Sequence, residues 1–507
     1  MNFERTKNAK RNIVWGLIVK LFSLFIPFLM RTIIIYRLGT LYLGLNSLFA
    51  SILNALNLAE LGIGSALVFS MYKPIADDDK EKICALMYVY KIAYYVIGIV
   101  VLVLGFVMIP FLHNFIKGAY PTEINIEVVY VLQLLTTAAG YFFMAYKGSL
   151  LQAYQRADIV NKLDLITALC MYAVQMVGLL VFRNYYVYVL ALLVRIIVYN
   201  FIQSAIVDRM FPDLKARGHI SKEEKKQIIV KTSALMGHKV AGMVINSVDN
   251  ILISMFMGLE IVAIYNNYFF VITALSGLFL MLTSGLNAIV GNYMVKENNE
   301  KKLELFNNMH YLVCFAICIT CTCLLVLFQP FMLVWTGEKL LLPFGSVILF
   351  TIYFFSVKVR AIGLLFKDAS GLWEKDVLKA WMQIVIDLVI DFWLLQKIGI
   401  NGAIISTIVS MIFAYIYETN IIFKYCLNGK KRKYYINTLI YAIIICITCG
   451  VALLVCDLFS NINKWIKLPV YFVIAVVFSI GLFGFATAWT DEFRNAVQFV
   501  KKNIFKR

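Results

Sequence analysis

The sequence is poor in charged residues, histidine and proline, and these shortages exclude several classes of protein. Only 15% of its 507 residues are charged, whereas a soluble globular chain carries about 25%. With 28 glycines, 8 prolines and 10 cysteines, the chain is not collagen-like, disordered or a small disulfide scaffold. What is abundant is apolar: 62% of the residues are hydrophobic and the mean hydropathy is +0.81. One soluble core could not bury so much, because cores stop growing at about 250–300 residues. The composition therefore predicts an all-α, polytopic integral membrane protein.

Long apolar runs divide the chain into fourteen predicted transmembrane helices, because about 20 mostly apolar residues cross the hydrocarbon as a helix. The spans are placed at 13–35, 43–71, 85–112, 127–151, 163–183, 185–207, 232–257, 261–291, 309–334, 341–366, 377–396, 400–423, 437–459 and 467–489. With the N-terminus inside, and with three bases at the span ends counted with the adjoining loops, the inside segments hold 32 Lys and Arg residues and the outside segments hold 7. Since cytoplasmic loops carry the excess of positive charge, both termini are predicted to be cytoplasmic. The net charge of +18 is explained by this topology and by lipid headgroups rather than by nucleic acid.

Two stretches with a similar pattern indicate an internal repeat. The first begins Leu38-Gly39 and the second begins Met257-Gly258, and each continues into an aromatic, asparagine-containing helix. Repeats about a central site are a common plan of secondary transporters. We therefore expect two pseudo-symmetric six-helix lobes and two appended spans. The predicted units are an N-terminal lobe at 1–207, a basic cytoplasmic loop at 208–231, a C-terminal lobe at 232–423, a second basic loop at 424–436, and spans thirteen and fourteen with a basic tail at 437–507.

Twelve of the ionisable residues inside the spans are the first candidates for function. They are Lys20, Arg31, Lys91, Lys147, Arg195, Lys239, Lys358, Arg360, Glu60, Asp249, Asp387 and Asp391. Facing lipid, they would cost roughly 36 kcal/mol together, so most must face water or one another. Several share a helix face with amide side chains, because residues 3, 4, 7 or 11 apart lie on one side of a helix. We predict a wet substrate cavity shared by the two halves and lined by Lys20, Arg31, Asn54, Asn57, Glu60, Arg195, His238, Lys239, Asn246, Asp249 and Arg360.

The balance of eight bases to four acids favours an anionic, hydroxyl-rich solute, since bases hold phosphate while amides and aromatic rings hold sugar. Lys358 and Arg360 point about 200° apart, so at most one of them faces the cavity, and the other is a candidate partner for Asp387 or Asp391. Four acids are candidates for ion coupling: Glu60, Asp249, Asp387 and Asp391. Pro27 lies on the same face as Lys20 and Arg31 and is a predicted hinge, because proline weakens a helix interior.

Other features of the sequence do not indicate catalysis or a cofactor. The cysteines of span nine, Cys314, Cys318, Cys321 and Cys323, are interpreted as small hydrophobic residues of an apolar helix. The four histidines are far apart in sequence, and neither a nucleophilic triad nor a pair of catalytic carboxylates appears outside the spans. We therefore expect no enzymatic activity, no metal and no cofactor.

One region of the sequence resembles a known family. It consists of Leu38-Gly39, Tyr42-Leu43-Gly44-Leu45-Asn46, Leu58-Ala59-Glu60-Leu61-Gly62-Ile63-Gly64-Ser65-Ala66 and Tyr72-Lys73-Pro74-Ile75-Ala76. This region is similar to the opening of the Wzx-type polysaccharide flippases, which belong to the multidrug/oligosaccharidyl-lipid/polysaccharide (MOP) exporter superfamily. The span count, the central basic loop and the total length agree with that family along the whole chain. In relatives that flip the peptidoglycan precursor, arginines of the first lobe line a cationic cavity, and only Arg31 is at a matching position here.

The resemblance implies a function. Such a protein would move undecaprenyl-diphosphate-linked oligosaccharides to the outer leaflet of the bacterial plasma membrane, with membrane lipids around it and a polymerase and glycosyltransferases as pathway partners. Two alternatives stay open at this point. One is an ion-coupled drug exporter of the same fold, and the other is a polytopic polysaccharide polymerase or glycosyltransferase. The drug exporter would call for an acid-dominated lumen, and such an enzyme for a long external loop, whereas the longest external segment, 113–126, is short.

Overall fold

The computed structural model describes residues 5–57 and 63–503, and within these ranges the regular structure is entirely helical. Ten helical segments there are long and apolar enough to cross a membrane, and three shorter apolar helices accompany them. Each of the fourteen predicted spans falls on one helix or on two consecutive helices. The chain is thus a multi-pass, all-α membrane protein, as predicted.

The chain up to Ala263 forms the first of two compact units. Its helices are α1 (Arg5–Arg37), α2 (Thr40–Leu56), α3 (Ile63–Ala76), α4 (Lys80–Met108), α5 (Ile126–Ala139), α6 (Gly148–Ala153), α7 (Ala157–Leu180), α8 (Tyr185–Met210) and α9 (Lys222–Met257). The core lies where α2, α4 and α5 pack together, around fully buried Leu45, Leu48, Phe49 and Tyr130. Burying such side chains away from water contributes about 1.5–3 kcal/mol each in a soluble core, whereas in lipid close packing supplies most of the gain.

The second compact unit starts at Ile264. Its helices are α10 (Leu259–Ser284, which begins just before the boundary), α11 (Asn287–Lys296), α12 (Asn299–Trp335), α13 (Phe344–Lys358), α14 (Ala361–Ala369), α15 (Val377–Ile398), α16 (Ile400–Ile422), α17 (Lys431–Asp457), α18 (Lys464–Thr487) and α19 (Asp491–Asn503). The long α12 packs against α13, α17, α18 and α19. The boundaries of the two lobes inferred from the sequence stay a prediction.

The two halves of the chain repeat the same interruptions. The second and fourth predicted spans each consist of two helices, α2 with α3 and α5 with α6, and so do the eighth and tenth, α10 with α11 and α13 with α14. Gly39 precedes α2 with φ 102°, and Gly258 precedes α10 with φ 92°. Only glycine adopts such angles without strain. These glycines are 219 residues apart, which is the offset of the sequence repeat.

Several helices begin where a polar side chain caps the first turn. Among the described residues the capping side chains are Asp79, Asn125, Asn184, Ser221, Asn298 and Asn463. Each accepts a hydrogen bond from a backbone N–H that the helix itself leaves unsatisfied. At α9 the cap is reciprocal, because Ser221 accepts from the backbone of Glu224 while the Glu224 carboxylate accepts from the backbone of Ser221. These caps fix where the spans start.

Candidate functional site

In the first unit, two predicted cavity residues lie on one face of α1. Lys20 and Arg31 are eleven residues apart, so they share a face and are separated by roughly 16 Å along the axis. Both side chains are half-buried. Arg31 lies close enough to Tyr188 of α8 for the two side chains to interact electrostatically. Between the two cations, α1 continues as one helix through Pro27. The hinge at Pro27 stays a prediction.

The third predicted cation of this unit, Arg195, is ion-paired. Its Nη2 donates to Oδ1 of Asp164 on α7 at 2.5 Å. The side chains keep 26% and 43% of their accessible surface, so the pair is not enclosed by the rest of the protein. Tyr172 and Tyr199 interact electrostatically with both charges.

These side chains are near enough to influence one another electrostatically, and we call the set the Arg31–Arg195 track: Arg31, Tyr188, Tyr172, Arg195 and Asp164. Tyr188 interacts with Arg31 on one side and with Tyr172 on the other. Tyr188 and Arg195 are seven residues apart on α8 and therefore share a helix face, about 10 Å apart along the axis. The track is an array of guanidinium and phenol groups that can bind an anion carrying hydroxyl groups.

The predicted asparagines of α2 are in different environments. Asn54 is exposed, whereas Asn57 accepts a hydrogen bond from Tyr141 through its Oδ1 at 3.2 Å. Neighbouring Ser51 accepts from Asn250 of α9 at 2.9 Å. Asp249, next to that asparagine, is buried with 6% of its surface exposed. The structure thus brings the polar residues of α2 and α9 together.

Some of the predicted residues are outside the described part of the structure. Glu60 is in the segment 58–62, which is not described. The side chains of His238, Lys239 and Asn246 on α9 are likewise outside the described residues. Their assignment to the substrate cavity and to ion coupling stays a prediction.

The second unit contains a buried network of charges near one end of α14, α15 and α16. Arg360 donates through Nε and Nη2 to the two carboxylate oxygens of Glu418, at 2.9 and 2.7 Å. Lys379 bridges Glu418 at 2.5 Å and Asp376 at 3.0 Å. Lys367 pairs with the other side of the network by donating to Asp376. All five residues keep less than a tenth of their surface exposed, which makes this network a structural element rather than an open binding surface.

The contacts of Arg360 and Lys358 bear on the prediction that one of them pairs with Asp387 or Asp391. Arg360 is not the partner of Asp387 or Asp391, because Glu418 satisfies it with two hydrogen bonds. Lys358, the other candidate, lies over the rings of Phe279 and Phe354 at 5.7 and 5.6 Å.

The two acids of α15 lie buried against α16. Asp387 and Asp391 are each 1% exposed, and Ser410 donates to Asp387 at 3.0 Å. Both carboxylate oxygens of Asp391 lack a hydrogen-bond partner among the described residues. The two helices approach each other closely at Gly402 of α16, where a Cβ atom would lie 2.4 Å from the backbone of Leu394. Two buried carboxylates, of which one accepts a hydrogen bond from a hydroxyl group, can take up a proton or a small cation.

The described residues contain no group of three or more His, Cys, Asp or Glu side chains placed to hold a metal ion. The site therefore consists of charges and aromatic rings along helices. Interrupted spans and an internal repeat are features common among secondary transporters.

Comparison with solved structures identifies the fold. The lipid II flippase MurJ in an inward closed conformation matches with a TM-score of 0.66 and 12% identity, over 94% of this chain and 99% of that one. An inward-facing multidrug resistance transporter of the MATE family and the MOP superfamily matches with a TM-score of 0.59 and 14% identity, over 81% and 98%. The Vibrio cholerae MATE transporter VcmN matches with a TM-score of 0.55 and 13% identity, over 83% and 98%. The chain has the MOP fold, as predicted.

The family follows from the sequence itself. The model of the polysaccharide biosynthesis protein family matches residues 9–285, more than half of the chain. The chain therefore belongs to the polysaccharide biosynthesis protein family, and the predicted resemblance is confirmed. A sequence search of curated proteins finds no match.

Proposed function

We propose that this chain moves polyprenyl-diphosphate-linked oligosaccharide repeat units from the inner to the outer leaflet of the bacterial plasma membrane by alternating access. The product would serve the synthesis of a capsule, exopolysaccharide or O-antigen-like polymer. Family membership and the MOP fold support a transporter of this kind. The observation that carries the choice of substrate is the Arg31–Arg195 track, where two guanidinium groups and tyrosines that feel their charge occur within one helical unit.

The chemistry of the track suits the two parts of such a substrate. Guanidinium groups bind phosphate oxygens through two parallel hydrogen bonds, and phenol rings pack against sugar rings while their hydroxyls exchange hydrogen bonds. A sugar cannot cross lipid alone, because each unpaired hydroxyl costs several kcal/mol in hydrocarbon. A polar path that opens first to one side and then to the other removes this barrier.

The membrane potential supplies a driving force for an anionic substrate. A diphosphate diester carries about two negative charges, and each gains about 2.3 kcal/mol per 100 mV as it moves away from a negative interior. At roughly 150 mV this amounts to about 7 kcal/mol per molecule. Coupling to protons or sodium ions would add to it, and Asp387 and Asp391 are candidates because both are buried on α15. Asp249 and Glu60 stay candidates from the sequence.

A drug exporter of the same fold is the second candidate, because MATE transporters are among the matching structures. Cationic drugs would require acids on the path, whereas arginines line the track. Polymerases and glycosyltransferases of the same pathway are proposed as partners of the chain. Activity as such an enzyme is the weaker alternative, since the chain matches transporters along most of its length.

The test is reconstitution into proteoliposomes with a fluorescent polyprenyl-diphosphate oligosaccharide, followed by an external lectin that reports sugars on the outer leaflet. Arg31→Glu is expected to abolish flipping, because it places a negative charge where the diphosphate binds. Arg37→Glu is the matched control, since Arg37 is exposed in the last turn of the same helix. The alternative, a drug exporter, would be established by two results together: the wild type gives no lectin signal, and Arg31→Glu preserves or improves drug efflux.

A further inference from the structure

Two kinds of arginine ion pair occur in the described residues, and they differ in exposure. The Arg360–Glu418 pair is closed, with side chains that keep 9% and 3% of their surface. The Arg195–Asp164 pair keeps 26% and 43%. A closed pair cannot exchange its partner without unfolding its surroundings, whereas a half-open pair can exchange it for a ligand. The two pairs are therefore suited to different roles.

Arg195 also has donor capacity that Asp164 does not use. The carboxylate receives a single hydrogen bond, from Nη2, and the buried Nε–H of Arg195 has no partner among the described residues. A guanidinium group presents five N–H donors in a planar fork, which matches two phosphate oxygens at once. A diphosphate arriving at Arg195 can thus make more hydrogen bonds than Asp164 makes.

We propose that Asp164 competes with the diphosphate of the substrate for binding to Arg195. Asp164 is thereby a specificity-determining residue of the track. This inference rests on the proposed function and deepens it. In the empty protein Asp164 occupies Arg195. A diphosphate with about two charges displaces this single carboxylate, whereas a monovalent anion gains too little from Arg195 to do so. When the substrate leaves, Asp164 pairs with Arg195 again and blocks its return.

The position of the pair gives the competition a direction. With the N-terminus inside, α8 runs from the outside at Tyr185 to the inside at Met210, so Arg195 is deeper toward the cytoplasm than Tyr188 and its neighbour Arg31. A diphosphate that enters from the cytoplasm reaches Arg195 before Arg31. Displacing Asp164 is then the first step of loading, and its return to Arg195 favours transfer to Arg31.

The test measures binding and transport separately. Farnesyl diphosphate is the binding probe and farnesol the control, with affinity read from thermal stabilisation of the purified full-length protein in detergent. Asp164→Asn is expected to bind farnesyl diphosphate about two- to fivefold more tightly, because an exposed ion pair no longer competes. Flipping of the oligosaccharide substrate should then show a lower half-saturating concentration and a lower maximal rate, since release is slowed. Asp164→Glu should restore wild-type behaviour, and Asp164→Ser replaces the asparagine variant if the latter does not fold.

The controls separate competition from a structural role. Asp208→Asn removes a carboxylate on α8 that pairs with Lys147 at 2.7 Å, instead of the Asp164 carboxylate on α7. This variant should leave the affinity for farnesyl diphosphate unchanged. In a protein that already carries Arg195→Gln, Asp164→Asn should not increase the affinity for farnesyl diphosphate. A wild type that flips the substrate, combined with an asparagine variant of unchanged or weaker affinity, would overturn the role of Asp164 and leave the proposed function intact. A wild type that does not flip the substrate would overturn the proposed function itself.

Discussion

Replacing Glu418 with glutamine tests whether the buried network holds the second unit together. Glu418 accepts three hydrogen bonds, two from Arg360 and one from Lys379, and it is 2% exposed. Glu418→Gln keeps the shape but leaves Arg360 without its carboxylate, and it leaves Lys379 to share Asp376 with Lys367. Removing one partner of a buried ion pair costs about 3–5 kcal/mol. For a unit of this size, where 1 kcal/mol corresponds to about 2–4 °C, the melting temperature should fall by roughly 6–20 °C.

The assay is thermal unfolding in detergent, followed with a thiol-reactive dye that reports buried cysteines such as Cys314 and Cys318 as they become accessible. Asp213→Asn is the matched control, because its ion pair with Lys80 at 3.0 Å has side chains that are 70% and 56% exposed. Such surface pairs contribute at most about 1 kcal/mol. If Glu418→Gln melts within about 2 °C of the wild type, the network does not stabilise the unit and the reasoning from burial is refuted.

Three further outcomes are expected. Pro27→Ala should slow flipping of the oligosaccharide substrate while leaving membrane insertion intact, and an unchanged rate would remove the hinge. Gly402→Val should lower the melting temperature and disturb ion coupling, because its side chain would overlap the backbone of Leu394; Gly450→Val, at a position with open space around it, is the control. The hydrogen bond from Lys82 lowers the pKa of Glu224 below its ordinary 4.5, so this stabilisation is complete above about pH 4.5 and is lost as the pH falls further. A pH titration of the melting temperature should show that loss in the wild type and not in Glu224→Gln.

The helices were predictable from the sequence because a span is a local property: its length and hydropathy are set by about 20 consecutive residues. The fourteen spans, the fold class and the family therefore follow from the sequence. The interruptions of spans such as 127–151 did not follow, because a break between two apolar helices leaves little trace in hydropathy. The structure shows them as pairs of helices at equivalent places in each half.

The partners of the buried charges could not be predicted. Arg360 and Glu418 are 58 residues apart, and the pairing depends on how α14 and α16 pack. Asp164, Lys379 and Glu418 are close to the ends of predicted spans, where a charged side chain usually reaches the headgroups. Here the segment around Asp376 folds over the ends of α15 and α16 and removes two of these charges from water. The one available signal was the presence of acids at the ends of spans five and twelve.

Under the proposed function, enclosed ion pairs stabilise the protein, whereas more exposed cations bind the substrate. A buried pair such as Arg360–Glu418 already supplies its guanidinium with the best ligand it can have, so it cannot attract a diphosphate. Cations that bind a passing anion must instead be only weakly satisfied, since tight internal pairing would have to be broken at every cycle. Lys20 forms no ion pair among the described residues, and the carboxylate that pairs with Arg195 is exposed. Under the proposed function, the partner that a cation must give up sets how strongly it binds the substrate, so the residue that pairs with a cation is as important to the proposal as the cation itself.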